Sequence, residues 1–554
     1  MSLLVPLALE ILRDVVFTLV VLVALRTFLV EGLRGLVARF LHLLRLLPGM
    51  ETVFHHVVRR EARQSLKLLQ GSVGNEASAQ PQLETHCIPE KGLNEVELTN
   101  ELERYKKADA CPHDGRVFGY VYTVNDRRFE TIREVYESFE ASDEAAKESD
   151  GARETRQTRK AEMLRAFTRA FMHDNALNPI LFPSLKRFEM ETVAMVAHML
   201  HGDGGCAGNV TSGGTESILM AVKTYRDRAR ALCPHITHPE MVAPQSIHPA
   251  FHKAASYFDV TLVLVPLTEG FTPDMVAYRK AINGRTILLL ASAPQFVHGV
   301  VDPIPEISQL AEEKRLPLHV DACFGGFLLP WVERLGYEVP VFDFRNPGVT
   351  SMSADVHKYG LGIKGSSVIV YRSADLRQHQ FYVYSGWPGG MYASPTMAGS
   401  RPGGVLASSW AALKIIGQDG YMEMARGLME VTALMTEGVK SIQGLAVCGR
   451  PHMTAFAVTS TDPRVNVFAL ASVMETKGWH MERQTNSLHF SVLPSHTVER
   501  ANEMVRDLKE CVEIVKVDPS LVKKGTAAMY GLIGTIPDKT IIDDFLLQFL
   551  NKLY

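Results

Sequence analysis

Short apolar segments, separated by stretches long enough to form helices, are the feature of this sequence that most constrains its fold. Each segment has the length of a strand rather than of a helix. Alternation of this kind predicts an α/β domain with a mostly parallel, doubly wound sheet and flanking helices. Such sheets bind their ligands at the carboxyl ends of the strands. The segments are residues 241–243, 261–265, 286–291, 316–320 and 367–371.

A further β-like segment, residues 349–353, is followed by a histidine and then directly by a lysine, in the sequence SMSADVHKYG. A lysine amine that is partly deprotonated in a desolvated, cation-rich site can form an imine with the aldehyde of pyridoxal phosphate. The neighbouring His357 is placed to reach the phosphate of such a cofactor. Most His-Lys pairs lie in solvated turns, so the assignment of Lys358 depends on other parts of the chain.

A glycine-rich loop, residues 211–217 (TSGGTES), precedes the helical pattern of residues 218–232. Two glycines let the backbone approach an anion, and the N–H groups and dipole of the following helix point at it. Ser212, Thr215 and Ser217 add hydroxyl groups. A cluster like this often serves only as a helix cap, and phosphate binding is the interpretation favoured here in combination with the other motifs.

Asp321 stands at the carboxyl end of the segment 316–320. A carboxylate in this position can pair with a protonated pyridine nitrogen, which makes the cofactor an electron sink. The alternative is a turn aspartate before Gly325 and Gly326. The chain order of phosphate loop, aspartate and lysine favours the cofactor role.

With these motifs, the sequence resembles the sphingosine-1-phosphate lyases, in the group II decarboxylase family of fold-type I pyridoxal-phosphate enzymes. The similarity runs from about Gly115 through the C-terminal region, and the lysine motif and glycine loop are shared with decarboxylases. Residues 392–404, YASPTMAGSRPGG, are instead typical of the lyases. The resemblance implies pyridoxal 5'-phosphate as cofactor, a phosphorylated sphingoid base as substrate, and a homodimer whose active site forms between two protomers.

The resemblance also implies a role for individual residues. Lys358 would form the Schiff base, Asp321 would face the pyridine nitrogen, and His248 would stack on the cofactor ring. The cofactor phosphate would be held by Gly213, Gly214, Thr215 and His357.

Further residues match substrate positions of the family. Lys364 and Tyr122 are candidates for the substrate site, although a surface lysine and a half-buried strand aromatic are the alternatives. Arg401 could hold phosphate or support a subunit interface. In the segment DNALNP, Asn175 matches a family asparagine, and Asn178 stands where the family usually has a histidine. An amide can donate a hydrogen bond but cannot become cationic, so phosphate binding or its pH dependence is expected to differ.

The N-terminal region has two apolar runs, residues 3–9 and 15–25, interrupted by Glu10, Arg13 and Asp14. Arginines follow these runs, which by the positive-inside rule places the rest of the chain in the cytosol. The lyase resemblance then implies a single anchor in the endoplasmic reticulum membrane. An arginine-rich mitochondrial transit segment is the alternative interpretation.

The chain of 554 residues is long enough for several structural units. Its net charge of -3 argues against nucleic acid as a partner. The seven cysteines form no Cys-x-x-Cys pair, which indicates a reducing compartment and predicts no metal site. The expected units are an anchor with a juxtamembrane helix (1–70), a linker (71–95), an N-terminal catalytic segment with a charged insertion near 138–160 (96–200), the cofactor domain (201–405) and a smaller α/β C-terminal domain (406–554).

Two other function classes remain open on the sequence. An amino-acid decarboxylase would use the same lysine, aspartate and glycine loop but would break the bond to a carboxylate. A non-catalytic membrane-tethered scaffold is disfavoured because the cofactor positions are intact.

Overall fold

The computed structural model describes residues 87–106, 152–523 and 539–553. All of them belong to the compact unit Gln80–Tyr554. The expected membrane anchor, most of the linker, Tyr122 and the first part of the charged insertion lie outside the described residues. Within the described ranges, no helix is both long and apolar enough to cross a membrane.

The main sheet of the described chain has seven strands in the order β1-β7-β6-β5-β4-β2-β3. Strands β2 to β6 pair in parallel with their neighbours, whereas β7 runs antiparallel to β6 and β1 runs antiparallel to β7. The prediction of an α/β fold with a mostly parallel sheet is therefore confirmed. The strands are β1 (Ala207–Thr211), β2 (Glu240–Pro244), β3 (Thr261–Val265), β4 (Thr286–Ser292), β5 (Leu318–Asp321), β6 (Val349–Ala354) and β7 (Ser367–Tyr371).

Burial explains why the central strands could be found in the sequence. Every residue of β2, β4, β5 and β7 is buried, as expected for strands covered by helices on both faces. Strand β3 lies at the edge of the sheet and is partly exposed. Strand β1, at the other edge, has the sequence AGNVT and lacks the apolar run that identifies the others.

Helices cover this sheet and connect its strands. The amphipathic helix after the glycine loop buries Ile218, Leu219, Val222 and Tyr225 in one apolar cluster with residues of β2 and β4. The helices are α1 (Glu95–Lys106), α2 (Ala152–Ala170), α3 (Pro183–Met199), α4 (Gly214–Leu232), α5 (Ala250–Phe258), α6 (Met275–Ala281), α7 (Ile304–Lys314), α8 (Leu329–Arg334), α9 (Ala374–Arg377), α10 (Gly403–Lys440), α11 (Val467–Thr476), α12 (Val498–Val517) and α13 (Lys539–Leu553).

Two smaller sheets complete the described structure. A short hairpin joins β8 (Tyr382–Tyr384) to β9 (Tyr392–Ser394). The C-terminal region has a four-stranded antiparallel sheet in the order β10-β11-β13-β12; α10 and α11 pack against it, and α12 packs on these two helices. Its strands are β10 (Leu445–Val447), β11 (Ala455–Ser460), β12 (Glu482–Arg483) and β13 (Leu488–Ser491).

The long helix α10 is broken at Gly417, whose φ of 66° lies in the left-handed region that favours glycine. A Cβ at this position would also collide with the backbone of Lys91 and Gly92. Separate helical patterns on either side of Gly417 predict this break, and the structure places it there.

We expect Gly417→Ala to lower the free energy of unfolding by about 1–3 kcal/mol, because the left-handed conformation is strained for alanine. The added Cβ must also displace the packed segment at Gly92. Gly427→Ala is the matched control in the same helix, since Gly427 is exposed and a Cβ there meets no other atom within 4 Å. That control should stabilise the protein by about 0.5–1 kcal/mol. Urea unfolding of both variants measures the difference, and equal midpoints would contradict it.

Candidate active site

A cleft of about 610 Å³ opens at the carboxyl ends of β5 and β6, beside the start of α4. This is the position at which parallel sheets bind ligands. It brings together the glycine loop, Asp321, both residues of the His-Lys motif and His248, which the sequence analysis singled out. The lining residues are Ser212, Gly213, Gly214, Thr215, Glu216, Ile218, Leu219, His248, Asp321, Cys323, Asp355, His357, Lys358, Met397 and Ala398.

The start of α4 has the features of an anion site. Its N-cap residue is Gly213, which has no side chain to cap the helix, so the first N–H groups are left for a ligand. Thr211 and Ser217 share a hydrogen bond of 2.6 Å, and Ser217 also contacts the Ser367 hydroxyl at 2.8 Å. Ser217 is fully buried beneath the loop, so its hydroxyl supports the loop. The expectation that this hydroxyl adds to the anion site is therefore wrong.

Asp321 is oriented from two sides. Its Oδ1 accepts hydrogen bonds from the Cys323 N–H at 3.0 Å and from the Ser353 hydroxyl at 3.2 Å. Ser353 in turn contacts Nε2 of the buried His319 at 3.3 Å. Burial lowers the pKa of His319 to about 4 although Asp321 opposes this, so the imidazole is neutral at pH 7. Within the described part of the chain, Oδ2 of Asp321 takes no hydrogen bond and remains available to a ligand.

Lys358 lies in a carboxylate-rich site, not in the cation-rich one that the sequence analysis assumed. Its Nζ is 3.0 Å from Oδ2 of Asp355. Burial lowers the pKa of Lys358, but Asp355, with further contributions from Cys323 and Asp321, outweighs burial and leaves the pKa raised. Without a cofactor, the lysine is therefore an ammonium ion.

His357 donates from Nδ1 to the Ser366 carbonyl at 2.6 Å, which turns Nε2 toward Asp355 at 3.5 Å. Burial lowers the pKa of His357 and, together with the cations of Lys364 and Lys358, outweighs the opposing effect of Asp355. The imidazole of His357, which was expected to hold the cofactor phosphate, lies close to the glycine loop: a Cβ on Gly213 would be 3.7 Å from the His357 Cε1.

Two other expected site residues are exposed. His248 lines the cleft from the loop before α5, and its Nδ1 accepts a hydrogen bond from the Ala250 N–H at 3.1 Å. Lys364 is exposed and does not line the cleft. Its charge nevertheless contributes to the lowered pKa of His357, so Lys364 lies near that imidazole.

Arg401 does not occupy the position that its expected phosphate role requires. Its guanidinium is buried and donates to Glu189 Oε2 at 2.9 Å and to the Val210 carbonyl at 2.8 Å. Arg401 therefore supports β1 and is not accessible to a phosphate or to a second subunit. This contact could not be predicted from local sequence, because Glu189 lies on α3, far from Arg401 along the chain.

Asn175 and Asn178 also contact the chain around them. Asn175 donates to the Ser400 hydroxyl at 3.2 Å, and its Oδ1 accepts from the Leu177 and Arg401 N–H groups at 3.0 Å each. It thus holds the segment that the resemblance singled out. Asn178 is half-buried, and its N–H donates to the Asn175 carbonyl at 3.2 Å. Neither residue lines the cleft.

The sequence motifs did not identify three acidic residues in or near the site. Glu216 accepts from the Ser212 N–H at 2.6 Å and from the Met397 N–H at 2.9 Å, and so ties the glycine loop to residues 392–404. Glu189 supports β1 as described above. Asp355 precedes Lys358 by three residues in a tight turn, and this spacing is the one local signal that could have identified it.

The comparisons agree with this geometry. Residues 160–459 match the model of the pyridoxal-dependent decarboxylase conserved domain. A glutamate decarboxylase of Lactobacillus brevis is similar in fold alone, with a TM-score of 0.57 at 19% identity over 64% of this chain and 86% of that one. Fold and site thus define an enzyme of the pyridoxal-phosphate-dependent decarboxylase class.

Within that class, the chain is 37% identical to a sphingosine-1-phosphate lyase of Arabidopsis thaliana over 532 residues, 95% of this chain and 90% of the relative. A sphingosine-1-phosphate lyase 1 of Rattus norvegicus is 38% identical over 84% of this chain and 77% of its own. The solved sphingosine-1-phosphate lyase of Burkholderia pseudomallei K96243 is 36% identical, with a TM-score of 0.63 over 77% of this chain and all of the other. The chain belongs to the sphingosine-1-phosphate lyase family.

Proposed function

We propose that the protein cleaves the C2–C3 bond of sphingosine 1-phosphate and dihydrosphingosine 1-phosphate, releasing phosphoethanolamine and a long-chain aldehyde. The observation that carries the proposal is a single cleft that joins Lys358, Asp321 and the glycine loop to Met397 and Ala398. These last two residues come from the segment 392–404, which is typical of the lyases.

Pyridoxal 5'-phosphate, when bound, supplies the aldehyde for Lys358 and accepts the electron pair of the bond that breaks. The residues of the chain fit it: the uncapped start of α4 and His357 would hold the phosphate, Asp321 would keep the pyridine nitrogen protonated, and His248 would face the ring. The hydrogen bonds from Ser353 and Cys323 keep the Asp321 carboxylate in place, since a carboxylate with fixed partners need not reorganise during the reaction.

The substrate carries a phosphate and a C3 hydroxyl whose proton must be removed. Lys364, exposed beside His357, supplies a cation for the substrate phosphate, and Asn178 supplies an amide in place of the family histidine. Tyr122 completes the substrate site by resemblance. The base is Lys364, a tyrosine or the substrate phosphate itself. Asn175 and Arg401 contribute indirectly, because they fix the segment that carries Met397 and Ala398.

The active unit is a homodimer in this proposal. The hairpin of β8 and β9 exposes apolar side chains that a monomer would leave in water, and it lies next in the chain to the segment that reaches the cleft. Sedimentation of the full chain would give the mass of a monomer if this were wrong. The exposed residues are Tyr382, Val383, Tyr384, Trp387 and Met391.

Membrane attachment is proposed from the sequence alone. The apolar runs before residue 26 and the arginines after them support an anchor in the endoplasmic reticulum membrane with the catalytic region in the cytosol. A mitochondrial location is the alternative. Imaging of the tagged full chain against markers of both organelles distinguishes the two.

Incubating the purified protein with sphingosine 1-phosphate should yield phosphoethanolamine and a long-chain aldehyde, measured by mass spectrometry. Lys358→Ala should abolish both products and the visible absorbance of the lysine-bound cofactor, because the amine is lost. Glutamate and aromatic amino acids should release no carbon dioxide above background. Efficient decarboxylation with the phosphorylated base left intact would show a decarboxylase, and a protein that binds no cofactor would favour the scaffold.

Replacing Lys364 by glutamine should lower kcat/KM for the phosphorylated base about ten-fold to two-hundred-fold. A charge-assisted hydrogen bond to a phosphate contributes about 1.5–3 kcal/mol, and each 1.36 kcal/mol corresponds to a factor of about ten. The control is Lys314→Gln, an exposed lysine at the end of α7 that does not line the cleft. If both variants match the wild type in steady-state kinetics, Lys364 has no role in substrate binding.

A further inference from the structure

Asp355 is a buried carboxylate inside the cofactor cleft. It is 2% exposed, and its Oδ2 lies 3.0 Å from Lys358 Nζ and 3.5 Å from His357 Nε2. Its Oδ1 is buried and has no hydrogen-bond partner among the residues that the structure describes. A buried carboxylate oxygen without a hydrogen bond destabilises the fold, unless a ligand or a proton that binds later supplies the missing bond.

The same carboxylate lies against the start of α4. A Cβ on Gly214 would be 2.8 Å from Oδ2 and 2.9 Å from Oδ1 of Asp355, so only glycine lets the carboxylate approach the helix this closely. The N-terminus of a helix favours an anion. The cofactor phosphate is proposed to bind at this helix start, and Asp355 and the phosphate therefore share one electropositive region.

Two anions in one buried region repel each other, and one of them gains by taking up a proton. The source of a proton is adjacent, because Lys358 must lose its own before it can react with an aldehyde. We propose that Asp355 is an internal counter-anion of the cofactor site: it neutralises Lys358 and the start of α4 in the empty site and becomes a neutral acid when a phosphorylated aldehyde binds.

The proton balance is simple. The Lys358 ammonium transfers one proton to the Asp355 carboxylate. The neutral amine then forms a carbon–nitrogen double bond with the aldehyde carbon, and the aldehyde oxygen leaves as water with the two amine hydrogens. The neutral acid then has an O–H to donate toward the phosphate, which provides a partner for the carboxyl group. The ionisable groups that face this pair are Asp321, Cys323, His357 and Lys364.

In the empty site, Asp355 holds the Lys358 amine in its charged form. Labelling of the full chain, stripped of cofactor, with a trace amount of an acylating reagent tests this, because only the neutral amine reacts. In Asp355→Asn, labelling of Lys358 at pH 8 should rise at least about ten-fold, because burial remains while the carboxylate is lost, and each pKa unit changes the neutral fraction about ten-fold. Peptide mass spectrometry reads the labelling relative to Lys314.

The matched control is Asp302→Asn. Asp302 is likewise buried with an unpaired Oδ1, but it does not line the cleft. Its replacement should leave the labelling of Lys358 unchanged. Unchanged labelling in Asp355→Asn, with a thermal unfolding curve like that of the wild type, would overturn the counter-anion role.

The second measurement is decided first on the wild type, so its main outcome does not depend on how the variants fold; the variants then assign the band. Infrared difference spectra on adding pyridoxal 5'-phosphate should show a new carboxylic acid band that shifts in deuterated water, since a carboxylate becomes an acid. The band should be absent from Asp355→Asn and present in Asp302→Asn. Cofactor binding without such a band would show that Asp355 stays charged and would overturn the inference. The inference rests on the proposed cofactor site but not on lyase activity, and neither readout requires turnover.

Discussion

The ion pair between Glu189 and Arg401 is the interaction on which the geometry of the site depends. Within the described ranges β1 is an edge strand, so the outward N–H and carbonyl of Val210 have no neighbouring strand there to bond. Glu189 accepts from the Val210 N–H at 2.9 Å and Arg401 donates to its carbonyl at 2.8 Å, so the pair takes the place of a further strand. Arg401 holds the Glu189 carboxyl pKa low against the opposing effect of burial. Removal of one partner from such a pair typically costs about 3–5 kcal/mol.

The consequence for the site follows from where the chain goes next. Strand β1 leads directly into the glycine loop, and the segment around Arg401 carries the Met397 and Ala398 that close one side of the cleft. Glu216 joins these two segments a second time, through the backbone of Ser212 and Met397. The segment 392–404, which is typical of lyases, is thus fixed to the glycine loop, which is shared with decarboxylases.

Local patterns made much of this architecture predictable. The central strands are buried on both faces and so appear as apolar runs, and the helix break at Gly417 separates two periodic segments. Strand β1 could not be identified in this way because Gly208 and Asn209 interrupt it, and Asn209 is satisfied by Glu189 at 3.1 Å. The residues proposed to hold the cofactor could be singled out because most of them lie in a local motif, whereas His248 was assigned through the family resemblance alone. The true partner of Arg401 and the charge around Lys358 could not be predicted, since they depend on residues that only the folded chain brings together.

Cys323 shows a further result of placing carboxylates in this cleft. The thiol is buried between Asp321 and Asp355, and burial together with these two charges raises its pKa well above the usual range. Only the thiolate form of cysteine is strongly nucleophilic. An enzyme that releases an aldehyde exposes its own pocket to an electrophile with every turnover. Burial and the Asp321 carboxylate act on this sulfur whether or not Asp355 is charged, so the thiol stays protonated and reacts poorly with the aldehyde product.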